Sequence, residues 1–234
     1  WLRSWEDVDA RVLPGTENAS EPFWSPDSRW IGFIDDLGSL KKVAVLGGAV
    51  HSIAGNIPDP RGASWGADDT ILIGTGNRGV YRVAAAGGTP QAVTELDASR
   101  QEGSHRWPQF LPDGRHFLFT SRSALAEQRG VYLGSLDGKT RHLLLRAEGN
   151  ARYAAPGYLL FLNEDTLLGQ SFDLDRLELT GQPTPIAARV GRSSRGEGAF
   201  STSDAGTLAY SGARLRPGRL TWFDRAGNAL AVIG

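Results

Sequence analysis

Five loops in this sequence lead into apolar runs, and each brings one residue able to ionise or bind: Glu21, Arg61, Arg106, Arg152 and Glu197. Two carboxylates and three guanidiniums are a mixed set. Carboxylates accept from hydroxyls and guanidiniums donate to oxygens, whereas a metal cage needs several acidic or imidazole ligands together. The most varied of the five loops is Gln101-Glu-Gly-Ser-His-Arg-Trp107, which combines an imidazole, a guanidinium and an indole. Arginine and tryptophan dominate binding hot spots, and the imidazole titrates near neutral pH. His105, Arg106 and Trp107, with Arg61, Arg152 and Glu197 in comparable positions, are therefore the candidate ligand-binding residues. The structural alternative is that Trp107 packs between sheets while Arg106 pairs with a neighbouring carboxylate.

Other patterns carry less. Gly74-Thr-Gly76-Asn-Arg-Gly79 matches the dinucleotide fingerprint, but a strand pattern, Val80-Tyr-Arg-Val83, follows it. The fingerprint needs a helix there to receive the pyrophosphate, so the stretch reads as a loop. His51, His105, His116 and His142 show no paired spacing, and there is no cysteine to complete a zinc site. No metal and no cofactor are expected. Gly191-Arg-Ser-Ser-Arg-Gly196 has the wrong spacing for a serine nucleophile elbow and reads as a flexible loop. Asp173, Asp175 and Glu178 lack the glycine-centred calcium pattern and read as an exposed hairpin tip. With no catalytic constellation, the chain is expected not to be an enzyme.

The elements that must position these residues repeat. The turns Trp24-Ser-Pro-Asp-Ser28, Trp65-Gly-Ala-Asp-Asp69, Phe110-Leu-Pro-Asp-Gly114, Tyr153-Ala-Ala-Pro-Gly157 and Phe200-Ser-Thr-Ser-Asp204 are led by aromatics 41, 45, 43 and 47 residues apart. A strand that is apolar on both faces follows each turn, as at Phe117-Leu118-Phe119, and then come hairpins turned at Gly47-Gly48, Gly87-Gly88, Asp137-Gly138, a longer Asp173 to Gly181 excursion, and Arg225-Ala-Gly227-Asn228. Gly-Gly and Asp-Gly supply the positive φ of primed hairpin turns. A period in the forties with four strands per unit predicts an all-β propeller of four-stranded antiparallel blades. Blades are expected over 19–54, 62–95, 106–146, 151–189 and 198–234 of one domain, with 1–14 as a half blade. That gives five and a half present and six in the intact protein. Trp24 and Trp65 are expected to pack between blades.

The chain has 234 residues, 40% of them apolar, enough to bury a core. Its formal net charge of −1 gives no field to collect nucleic acid, and no run approaches a membrane span. The absence of cysteine leaves the compartment open. A chain that starts at Trp1 and contains no methionine reads as part of something longer.

Phe23-Trp-Ser-Pro-Asp-Ser-Arg-Trp-Ile-Gly-Phe33, Val83-Ala-Ala-Ala-Gly-Gly-Thr-Pro90 and His105-Arg-Trp-Pro-Gln-Phe-Leu-Pro-Asp-Gly-Arg-His-Phe-Leu-Phe119 resemble the TolB-like, WD-repeat-like propellers of bacteria. More narrowly, they are similar to the propeller that follows the kinase domain of bacterial eukaryotic-like serine/threonine kinases. The resemblance implies a sensory or docking module outside the membrane, recognising a protein, peptide or small ligand, with no membrane insertion by this segment. A cytoplasmic setting stays open. The alternatives are a propeller hydrolase or lyase with its site in the central channel, and a free periplasmic TolB-like scaffold.

Overall fold

The computed structural model describes residues 1–4 and 6–212 and the backbone of 220–223 and 229–233. Four consecutive four-stranded antiparallel sheets follow the repeat. The first holds β1 (Ser20–Trp24), β2 (Trp30–Ile34), β3 (Leu40–Ala44) and β4 (His51–Ala54); the second holds β5 (Pro60–Trp65), β6 (Thr70–Thr75), β7 (Tyr81–Ala84) and β8 (Gln91–Ala92). The third comprises β9 (Glu102–Phe110), β10 (His116–Ser123), β11 (Gly130–Ser135) and β12 (Arg141–Leu145), and the fourth β13 (Ala151–Ala154), β14 (Tyr158–Asn163), β15 (Thr166–Asp173) and β16 (Glu178–Ala187). The fifth unit consists of two strand pairs, β17 (Phe200–Thr202) with β18 (Leu208–Tyr210) and β19 (Leu220–Phe223) with β20 (Ala229–Ile233). The turn at 225–228 lies outside the described residues. Among the described residues of 1–14, one isolated antiparallel bridge joins Leu2 to Arg11.

Within each sheet the order is the chain order, so every connection is a hairpin. The turn chemistry is local. At the first turn Asp27 accepts from the Ser25 hydroxyl at 2.6 Å and from the Arg29 amide, while Ser25 Oγ accepts from the Trp30 amide at 2.9 Å. Ser135 and Asp137 repeat the device between β11 and β12. His116 Nδ1 donates to the Asp113 carboxylate at 2.5 Å. The Asp173 excursion is tighter than expected: β16 already begins at Glu178, and Asp173 caps its own turn by accepting from the amides of Asp175 and Arg176.

Alternation explains why the second strands are apolar on both faces. Ile71 and Ile73 of β6 pack with Phe23, Ile34 and Leu40 of the first sheet, while Leu72 between them packs with Phe117, Phe119 and Tyr132 of the third. Leu118 turns the other way, onto Leu159 and Phe161 of the fourth sheet. Leu160 and Leu162 then meet Phe200. Successive side chains of a strand point to opposite faces, so each central strand fills two interfaces between sheets. Trp65 is buried there, 6.2 Å from Phe23. Trp24 is not: it stands 51% exposed, because Phe23 takes the inward position and the next residue points away.

The glycine-rich stretch 74–79 is a packing device. A Cβ on Gly74 would lie 2.5 Å from the Arg61 carbonyl and 2.8 Å from the Trp107 nitrogen, and one on Gly79 would fall 1.8 Å from the Thr94 carbonyl. Backbone cannot yield as a side-chain tip would, so Gly79→Ala is expected to destabilise by about 1–3 kcal/mol, read by urea unfolding. A variant as stable as the parent would remove that explanation.

Candidate functional site at the channel mouth

The innermost strands carry the site. The residue three before each leading aromatic is Glu21, Gly62, Trp107, Asn150 and Glu197. At Glu21, Gly62 and Trp107 the backbone takes φ of 52°, 78° and 49°, and β1, β5 and β9 lose register with their neighbours there. A bulge re-aims the side chain of the residue it displaces. Repeated from sheet to sheet, it presents this position towards the centre.

A cavity of ≈ 180 Å³ lies at this end, lined by Glu21, Pro22, Gly62, Ala63, Arg152 and Glu197. Arg152 lies 3.5 Å from Glu197, and Arg195 lies 3.3 Å from Glu21. Burial pushes the Glu197 carboxyl above its ordinary range, Arg152 opposes the shift, and Glu21 adds to it. Burial lowers the Arg152 guanidinium, while Glu197 and Glu21 oppose. Arg61 pairs with Asp59 at 2.5 Å.

Residues 191–198 are a strap rather than a loose loop. Arg192 bridges Gly198, the Ser193 amide donates to the Glu197 carbonyl at 2.7 Å, and the Gly198 amide donates to Asn150 Oδ1 at 2.7 Å. Arg195 reaches Glu21 of the first sheet, and Arg106 of the third donates to the Arg195 carbonyl at 3.4 Å. The strap thus touches both the first and the third sheet. Under it, the Trp107 indole runs from Gly62 towards Gly196: Cβ atoms on those glycines would sit 3.0 and 3.8 Å from the ring.

Of the expected residues, Arg152 and Glu197 line the cavity, while Arg61 pairs with Asp59 and Arg106 donates to the Arg195 carbonyl of the strap. His105 does not belong with them. Its side chain is fully buried; Nδ1 meets Thr94 Oγ1 at 2.7 Å and Nε2 meets Glu102 at 3.1 Å. Both nitrogens are used, and β9 points His105 into the interface with the second sheet, where its backbone amide donates to the Arg78 carbonyl. Trp107 is 1% exposed and packs beneath Gly62 and Gly196 rather than offering an open contact surface. Sequence reasoning missed Glu21 as a cavity wall and Asn150 altogether. The signal was available: both lie at the same offset from the leading aromatic as Glu197. Among the described residues, no three histidine or acidic side chains gather as a metal site.

No family model and no curated protein matches the chain by sequence. Solved structures do. A gluconolactonase from Xanthomonas campestris superposes with a TM-score of 0.72 at 16% identity, over 92% of this chain and 75% of that one. TolB from Acinetobacter baumannii follows at 0.66 and 17%, over 90% of this chain and 53% of TolB. The chain is a β-propeller. Oligogalacturonate lyase from Vibrio parahaemolyticus, at 0.58 and 14% over 90% of this chain and 64% of the lyase, has the same fold. Such identities establish architecture and not activity. They also correct one expectation. The absence of short catalytic motifs does not exclude an enzyme, since a gluconolactonase and a lyase share this propeller fold. In a propeller, a central site is assembled from single residues some forty-five positions apart, and no local motif records them. Among the described residues, no helix is long and apolar enough to cross a membrane.

Proposed function

We propose that the channel mouth binds a small hydroxylated acid of the sugar-acid type. The observation that carries this reading is the ring of inward positions around one cavity, with carboxylates at Glu21 and Glu197 and the Arg152 guanidinium between them. Carboxylates accept from hydroxyls, and a guanidinium donates to hydroxyl and carboxylate oxygens alike. A volume of ≈ 180 Å³ suits a small molecule rather than a folded partner. The gluconolactonase and the oligogalacturonate lyase of the same fold support the ligand class.

The test is calorimetric titration with gluconate, gluconolactone and oligogalacturonate. The pair removal Arg152→Met with Glu197→Gln should weaken binding by about tenfold or more, for the loss of charge-assisted bonds. It should barely move the melting temperature, since partly exposed ion pairs are worth about 0–1 kcal/mol. Wild type that binds none of the probes, or a double variant that binds them normally, sinks the reading.

A second reading, chemistry on the bound ligand, has one observation in its favour: Glu197 lines the cavity with a raised pKa, the condition of a general acid or base. Turnover of gluconolactone or oligogalacturonate by wild type, lost in Glu197→Gln, would establish it; no turnover of either would end it. The setting we propose is the extracytoplasmic sensor of a bacterial serine/threonine kinase. Its support is the His105 to Phe119 phrase, and its check is whether the reading frame upstream encodes a kinase domain and one apolar span.

A further inference from the structure

Three arginines beside the channel mouth lack a carboxylate partner. Arg106, Arg122 and Arg192 form no ion pair within 4.0 Å among the described residues; neutral oxygens hold them instead. Arg106 Nε donates to Ser104 Oγ at 2.8 Å, Arg122 Nη1 to the Glu148 carbonyl at 2.8 Å, and Arg192 to the Glu164 carbonyl at 3.0 Å and the Leu162 carbonyl at 3.5 Å. They come from three elements, β9, β10 and the strap: Arg192 and Arg122 face two glycines, and Arg106 reaches the strap at the Arg195 carbonyl. A Cβ on Gly149 would sit 2.6 Å from Arg192 Nη1 and 3.1 Å from the Gly196 carbonyl, and one on Gly196 would sit 3.7 Å from Arg122 Nη2. Bare glycine at both points keeps the space between the guanidiniums free of side chains.

Like charges gathered this way repel. Burial lowers the Arg106 guanidinium first, with Arg122 and Arg61 lowering it further and Asp59 opposing; Arg192 is lowered by burial and by Arg122, with Glu148 opposing. Asp59 is already engaged by Arg61, and Glu148 is exposed. Anchoring by backbone carbonyls fixes the direction of each guanidinium without neutralising it, which leaves the remaining N–H groups free to point at an anion.

We propose that Arg106, Arg122 and Arg192 form an oxyanion site at the rim of the channel, taking a phosphate, sulfate or carboxylate group of the ligand. The site extends the mouth reading, on which it rests, by fixing where the ligand's negative end lies. Three forked donors around one anion are the arrangement that phosphate and carboxylate groups favour.

The experiment titrates the purified chain with inorganic phosphate and with sulfate, against chloride at matched ionic strength, and then with galacturonate and neutral galactose. Arg122→Gln and Arg192→Gln are the variants, because each keeps a side-chain amide able to donate to its anchoring carbonyl; circular dichroism melts confirm their folds. Phosphate or sulfate should bind wild type above the chloride background, and each variant should lose about tenfold in affinity. Galacturonate should weaken in step while galactose binding holds, which assigns the anion of an organic ligand to the site. Phosphate weakened with galacturonate unchanged assigns the site to free phosphate instead and overturns its role in ligand recognition. Inorganic anions binding no better than chloride, or both variants binding like wild type, overturn the site itself. Loss of galactose in Arg152→Met/Glu197→Gln with the arginine variants normal would overturn the rim site and leave the mouth reading standing.

Discussion

Replacing Glu102 with alanine is expected to destabilise the propeller by about 3–5 kcal/mol, the range for breaking a buried charge pair by removing one partner. Glu102 is 0% exposed at its side chain, accepts from the Asp97 amide at 2.7 Å and from His105 Nε2, and pairs with Arg141 of β12. The network ties the innermost strand of the third sheet to its outermost one and, through Thr94, to the second sheet. Without the carboxylate, Arg141 keeps a donation to the Glu95 carbonyl and its place over the Tyr132 ring. Loss of less than 1 kcal/mol in urea unfolding would mean that the network contributes little.

The same network sets an acid limit. Burial works to raise the Glu102 pKa, but the bonds from His105, Arg141 and the Asp97 amide more than offset it and hold the carboxyl at about 2, below its ordinary 4.5. The folded state therefore gains from the ionised carboxylate above about 4.5, and the gain is lost as pH falls towards about 2. His105 is lowered from 6.5, chiefly by burial and also by Arg141, against the pull of Glu102. It stays neutral in the fold while the unfolded chain takes a proton below 6.5, so stability starts to fall there. In His105→Gln the decline should begin nearer 4.5, seen as a shifted onset in unfolding free energy against pH. An unchanged onset would assign the upper part of the decline to another group.

Trp107→Ala is expected to cost about 3–5 kcal/mol, the usual loss for truncating a buried tryptophan. The ring is 1% exposed, lies between Gly62 and Gly196 and carries Arg106 at 5.8 Å from its centroid. Trp107→Phe should cost far less, because Nε1 has no hydrogen-bond partner to lose. Two variants of similar stability would mean that the indole's volume does not support the mouth. If Trp107→Ala also admits larger ligands to the channel, the indole is its floor as well as its support.

Much of the architecture could be read along the chain because its causes are local. Aromatic-led turns forty-odd residues apart and glycine hairpins repeat a four-strand unit whose backbone geometry depends on residues close in sequence. Alternation placed Leu72, Phe117 and Phe119 in interfaces without further information, since strand side chains change faces at every step. Arg152 and Glu197, which line the cavity, were likewise visible from their place before their innermost strands.

What tertiary structure decided depends on contacts between units. Trp24 and Trp65 occupy equivalent turns, yet only Trp65 is buried, because Phe23 fills the inward place in the first sheet. His105 resembled a site residue until β9 turned it onto Thr94 and Glu102. Arg195 and Glu21 are 174 residues apart, and Arg122 and Arg192 stand together only because the strap crosses to the third sheet. Local propensity specifies the strand and its turn; which charges meet in the middle follows from radial closure of the sheets, and that is a long-range event.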